Sequence, residues 1–186
     1  MAVGRIEVVC GPMSSGKSEE LIRRLRRQKI AGKSIIVFKP QQDVRDGMQI
    51  KSRNHTILDE EVLPLHIAKD AITLFEELDI KPDTVAIDEV QFLDQEIVPV
   101  VRLIAQMGID VVIAGLDKNF KGDPFGPMPQ LLAIADDVLK LNAVCMKCKE
   151  ASATYTYRKT SDKEEVVVGG DEAYEARCGT CWSEEV

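Results

Sequence analysis

Residues 11–18 read GPMSSGKS, and the chain on either side of this glycine-flanked loop limits what the loop can belong to. Before it, 4–10 (GRIEVVC) is short, rich in β-branched residues and stops at Gly11-Pro12, as a strand running into a turn does. After it, 18–33 (SEELIRRLRRQKIAGK) has apolar residues at 21, 22 and 25 and closes on Gly32, the pattern of a helix with a C-terminal glycine. A strand, a G-x-x-x-x-G-K-[ST] loop and a helix form a phosphate cradle. Glycines let the loop turn its N–H groups inward, and the helix N-terminus adds a positive dipole. A chain of average composition and this length would match the pattern by chance roughly one time in two hundred. Gly11, Pro12, Met13, Ser14, Ser15 and Gly16 are therefore expected to wrap the phosphates of ATP or GTP. Lys17 would reach the β/γ-phosphates, and the Ser18 hydroxyl would ligate Mg²⁺.

Such a loop needs an acidic partner at the end of a second buried strand. TVAIDEVQF (84–92) supplies one: Asp88 ends the apolar run and is placed to hold Mg²⁺ through water. Glu89 follows at once and points differently, so it is free to act on a nucleophile. That nucleophile is water in an ATPase or a substrate hydroxyl in a kinase, and the loop alone does not separate the two.

The rest of the first 144 residues alternates strand and helix. We read strands at 34–39, 84–87, 110–114 and 138–144, the last in the core, and helices at 68–78, 95–107 and 131–137. Residues 40–54 have no clear period, carry Asp43, Arg45, Asp46, Gly47 and Arg53, and read as a functional loop. FKGDPFGPMP (120–129) is too dense in proline and glycine to be regular. Alternation of this kind requires parallel strands joined by helical crossovers, hence an α/β fold of the P-loop NTPase-like (RecA-like) kind.

Composition shifts at Cys145, which suggests a P-loop unit at 1–144 and a small lobe at 145–186. Four of the five cysteines form two Cys-x-x-Cys pairs, Cys145/Cys148 and Cys178/Cys181. In a reducing compartment that grouping reads as metal binding before disulfide. Two such knuckles present four thiolates to one tetrahedral Zn²⁺, a closed and therefore structural site. The 29 residues between them exceed the roughly 15–20 of a compact zinc ribbon, which suggests a long loop tied at its base, as substrate lids are. The competing reading, a pair of redox motifs, lacks the βαβ context of a thioredoxin-like helix start. Cys10 on the first strand reads as a small core residue, and Trp182 as packing against the knuckle.

A net charge of −7 argues against duplex nucleic acid, and 5% aromatic content is too sparse for a base-stacking platform. The most apolar long stretch, 98–116, contains Arg102 and Asp110, which excludes a bilayer span there. No signal-peptide pattern opens the chain, so a cytoplasmic location is expected. Arg23, Arg24, Arg26 and Arg27 are read as a solvated helix face or subunit contact, and His55 and His66 as loop and surface residues.

With these pieces in place, the sequence resembles the type II (cytosolic-type) thymidine kinases nearly end to end. GPMSSGKS is similar to that family's G-P-M-x-S-G-K-[ST] loop and DEVQF to its D-E-x-Q-F segment. FKPQQDVR (38–45), GLDKNFKGDPFG (115–126), both cysteine pairs, Val168-Gly169-Gly170 and Tyr174 recur in order. The resemblance implies that Glu89 accepts the proton of a nucleoside 5′-hydroxyl, with Lys17, Ser18 and Asp88 handling Mg-ATP. Asp43 and Arg45 would lie near the deoxyribose and the moving phosphoryl group, and the nucleotide site would extend to Val44, Val90 and Gln91. Met13, Phe92, Leu116, Phe120, Phe125, Thr156 and Tyr174 would line the base and sugar pocket. Glu165, Val166, Val167, Val168 and Gly169 would cross over the thymine as a lasso-like lid anchored by zinc. It further implies a homotetramer inhibited by thymidine triphosphate. Lid backbone groups reading the Watson–Crick edge would reject cytosine and tolerate uracil, which lacks only a methyl worth about 1–3 kcal/mol. Two other classes compete. One is an ATPase whose ribbon grips single-stranded nucleic acid; the other is a kinase for a different nucleoside or small alcohol.

Overall fold

Six parallel strands form one sheet in the order β3-β2-β4-β5-β1-β6. The computed structural model describes residues 2–42, 65–76, 81–161 and 169–184. In chain order the elements are β1 (Ile6–Cys10), α1 (Lys17–Ile30), β2 (Ile35–Pro40), β3 (Leu65–Ala68), α2 (Ala71–Glu76) and β4 (Thr84–Ile87). A single 3-10 turn at Val90–Phe92 precedes α3 (Ile97–Gln106), β5 (Asp110–Gly115), α4 (Met128–Ile134) and β6 (Asp137–Lys140). The remainder is β7 (Ala143–Val144), β8 (Ala151–Ala153), β9 (Tyr155–Arg158), β10 (Tyr174–Arg177) and α5 (Gly179–Ser183).

Strand alternation sorts the core into two layers. Val9, Ala86, Val112 and Ala114 face Leu21, Ile22 and Leu25 of α1. Their neighbours Val8, Cys10, Val85, Ile87, Val111 and Ile113 face the opposite side, with residues of α2, α3 and α4. Central strands buried on both faces read as unbroken apolar runs, which is why 84–87 and 110–114 are legible without periodicity. α1 is pinned at the sheet edge by Arg24, which bonds Glu7 of β1 at 2.5 Å, Glu20 at 2.9 Å and Asp137 of β6 at 3.3 Å.

Three sequence expectations are corrected. The helix read at 131–137 runs from Met128 to Ile134, starting within the stretch expected to be irregular, and Asp137 opens β6. Residues 68–78 do not start as a helix: Leu65–Ala68 is an edge strand paired with β2, and the helix begins at Ala71. The expected core strand at 138–144 is two strands in different sheets. β6 pairs with β1 and is mostly exposed, whereas β7 turns away to pair with β8 of the cysteine lobe. Cys10 is fully buried, as expected of a core residue.

Candidate active site

Every catalytic candidate that the structure describes on the sheet leaves its C-terminal edge. There β1, β4 and β5 are neighbours, and open α/β sheets place ligands at that edge. Between β1 and α1 the chain adopts left-handed backbone at Ser14 (φ 63°) and Gly16 (φ 85°). α1 starts at Gly16 without a side-chain cap, so its first N–H groups face the loop. Ser15 Oγ is buried with no hydrogen-bond partner among the described residues, a donor suited to an anion in the loop. Gly11 has no room for a side chain, since a Cβ would lie 2.3 Å from the Leu141 carbonyl oxygen. Lys17 is buried and its Nζ donates to the Pro12 carbonyl at 2.8 Å. Burial pushes the Lys17 ammonium below the ordinary lysine range, while Glu89, Asp88 and Asp117 pull it back up. An ammonium under this tension gains from a phosphate beside it.

At the end of β4, Asp88 is buried and accepts the Ser18 hydroxyl at 3.3 Å, so the loop serine and the strand-end carboxylate present their oxygens side by side. This oxygen pair suits the hard cation Mg²⁺. Glu89 has φ 51° and ψ 37°, a left-handed conformation that costs a side-chain-bearing residue roughly 1–3 kcal/mol. Glu89 Oε2 accepts Gln91 Nε2 at 2.5 Å, and Gln91 Oε1 accepts the Leu116 N–H at 3.0 Å.

Beyond β5 lie residues 116–126, where the Phe125 N–H returns to the Asp117 carbonyl at 3.2 Å. Phe125 meets Phe92 edge-on with centroids 5.8 Å apart, and Phe120 lies 3.6 Å beneath the Arg158 guanidinium. Arg158 also donates to the Tyr174 hydroxyl at 2.9 Å. Thr156 is buried and its hydroxyl accepts the Met13 N–H at 3.0 Å, which ties the lobe to the phosphate loop. Of the residues expected in the pocket, the structure pairs Phe92 with Phe125, joins Phe120 and Tyr174 through Arg158, bonds Thr156 to Met13, and connects Leu116 to Glu89 through Gln91. Val90 points into the hydrophobic core. Gly169 packs on Ala173 with no space for a Cβ. Asp43, Val44, Arg45, Glu165, Val166, Val167 and Val168 lie outside the described residues, as does His55.

The four lobe cysteines converge, with all their sulfurs within 4.8 Å of one another. Cys148 and Cys178 sulfurs are 3.9 Å apart, close to the ~3.8 Å edge of a tetrahedron with Zn–S bonds of about 2.3 Å. Hydrogen bonds from the backbone at Cys148, Cys178 and Lys147 overcome burial and bring the Cys145 thiol down to about 6. A hydrogen bond that the Cys181 thiol donates to Cys178, aided by burial, pushes Cys181 up to about 12. Four thiolates this close repel one another, and a divalent cation at their centre reverses that cost, so the donor set fits zinc. Trp182 follows Cys181 in α5 and reaches beyond the knuckle. It stacks on Tyr155 (centroids 4.5 Å apart, 19° between planes) and donates Nε1–H to the Phe120 carbonyl at 3.1 Å. It bridges the lobe to residues 116–126.

Sequence reasoning gave no role to Asp117, Lys118 or Arg158. Asp117 is buried against Lys140 at 2.7 Å, and Lys118 Nζ lies 3.8 Å above the Tyr155 ring. Burial lowers Lys118 from the ordinary lysine range. For Asp117 and Lys118 the signal was position alone, on the segment that leaves the central strand β5, and Arg158 on β9 carried none.

Sheet order and phosphate cradle place the chain in the class of P-loop nucleotide-binding proteins. A family profile described as "Thymidine kinase" matches residues 4–182. A thymidine kinase of Bacteroides thetaiotaomicron is 42% identical over 181 residues, covering 96% of this chain and 87% of that protein. A thymidine kinase of Porphyromonas gingivalis is 42% identical over 180 residues, covering 96% and 85%. The chain belongs to the thymidine kinase family and is an ATP-dependent nucleoside kinase.

Proposed function

We propose that the protein transfers the γ-phosphoryl group of ATP to the 5′-hydroxyl of thymidine, and of deoxyuridine, serving nucleoside salvage for DNA precursor synthesis. The observation that carries this reading is Glu89. Its carboxylate is held by the Gln91 amide just past the end of β4 and interacts electrostatically with Lys17 of the phosphate loop. The thymidine kinases it resembles supply the choice of acceptor.

In this mechanism the loop N–H groups, Ser15 and Lys17 hold the triphosphate with its terminal phosphorus toward Glu89. The 5′-oxygen attacks that phosphorus, the bond to the β,γ-bridging oxygen breaks, ADP departs, and Glu89 takes the hydroxyl proton. Ser18 and Asp88 would hold Mg²⁺, which neutralises charge developing on the phosphates. Arg45, carried over from the family pattern with Asp43 and Val44, would add positive charge at the moving group, and Asp43 would meet the deoxyribose. Glu165 to Gly169 would lie over the base, anchored by zinc on Cys145, Cys148, Cys178 and Cys181. We divide the chain into a P-loop unit at 1–144 and a zinc lobe at 145–186, and take the working form to be a cytoplasmic homotetramer restrained by thymidine triphosphate.

Transfer of labelled phosphate from ATP across a panel of nucleosides, with zinc measured on the same sample, tests the reading. Thymidine and deoxyuridine are expected to be labelled, deoxycytidine poorly, with one zinc per chain. Equal rates for deoxycytidine and thymidine would overturn the acceptor assignment. Glu89→Gln is expected to lower kcat by about 10²–10⁴-fold with ATP binding nearly unchanged. An unaltered kcat would remove Glu89 from the role of base.

A further inference from the structure

Gln91 is buried, and both ends of its amide are engaged. The Leu116 N–H is a donor and cannot be turned, so it fixes which end of the amide carries oxygen. That leaves Nε2–H facing Glu89 Oε2 at 2.5 Å. The rest of the residue is equally confined. A Cβ on Gly115 would lie 2.7 Å from Gln91 Oε1, and one on Gly126 would lie 2.5 Å from its carbonyl oxygen. These two glycines bracket residues 116–125, which carry Phe120 and Phe125. Glu89 itself has a left-handed backbone and, as a carboxylate on three rotatable bonds, needs something to fix its side chain.

We propose that Gln91 is a positioning residue: its amide holds the Glu89 carboxylate in the reactive orientation and ties that orientation to the segment forming the acceptor pocket. The proposal rests on Glu89 being the base. It assigns Gln91 a role through Glu89 rather than contact with the reacting atoms. A nucleoside that shifts residues 116–126 moves the Leu116 N–H, and through Gln91 it moves the base.

A double-mutant cycle tests this, because partners acting through one another are non-additive. Gln91→Glu keeps an oxygen for the Leu116 N–H but replaces the donor facing Glu89 with a second carboxylate. Initial rates over ranges of ATP and thymidine are expected to show kcat reduced about 10–100-fold, with the KM of each substrate changed much less than kcat. On a Glu89→Gln background the same substitution is expected to change kcat by less than about twofold. A loss of equal size on both backgrounds, or no loss on the parent, would overturn the proposal. If Glu89→Gln alone is fully active, the base assignment falls and takes the proposal with it. If Glu89→Gln is slow and Gln91→Glu is not, the proposal alone falls. Should Gln91→Glu fail to fold, Gln91→Met, neutral and of similar length, enters the same cycle with the same expected pattern.

Discussion

Glu20 shows how one side chain carries both packing and pH response. Its hydrogen bond to Arg23, and a second to Arg24, hold its carboxyl at about 2, below the ordinary 4.5. A depressed acid stabilises the folded chain above its unfolded value and loses that contribution as pH falls toward the folded one. The stability difference between the parent and Glu20→Gln should therefore be constant at neutral pH and shrink from about 4.5 down to about 2. Unfolding midpoints across that range check it; a difference independent of pH would show the ion pairs contribute nothing. Gly115 makes a second case. A methyl there meets Gln91 Oε1 at 2.7 Å, Met128 Sδ at 3.0 Å and Val90 Cγ1 at 3.0 Å. Gly115→Ala is expected to destabilise by about 1–3 kcal/mol through overpacking and to slow turnover by disturbing the Gln91 clamp. Calorimetry and initial rates read the two effects separately.

Among elements, β9 has the widest reach. Thr156 bonds the phosphate loop, Tyr155 stacks on Trp182 and lies under Lys118, and Arg158 covers Phe120. The cysteine knuckles pin the ends of the segment that includes this strand, so metal removal should be felt at the nucleotide. Trp182 is the sole tryptophan, which makes its emission a reporter of the docked lobe. Chelation is expected to shift that emission and weaken ATP binding together, and unchanged ATP affinity after a full emission shift would uncouple the two. Trp182→Phe retains a stacked ring and loses the bond to the Phe120 carbonyl, an expected cost of about 0.5–1.5 kcal/mol in thermal unfolding.

At the scale of the molecule, what could be read in advance follows from how much chemistry a short segment carries by itself. The phosphate loop, the Asp88-Glu89 step and the cysteine pairs state their roles locally, and the buried strands flanking them are continuous apolar runs. β3 is not legible in the sequence because it has four residues, one of them His66, and its strand character comes from pairing with β2 rather than from its own pattern. The break between β6 and β7 was hidden because 138–144 is plausible as one strand until a second sheet claims Ala143 and Val144. Gln91 and Arg158 acquire meaning only through partners distant in the chain. The Leu116 N–H is 25 residues from Gln91, and the Tyr174 hydroxyl 16 from Arg158.

Parallel strands also give the sheet an unreactive rim. There Asp83 binds Ser34, Lys33 pairs with Asp110, and the exposed Ala31 marks the far end of α1. A biotin handle grafted at Ala31 would dock the protein on a sensor surface back-first, leaving its mouth open to the flowing solution.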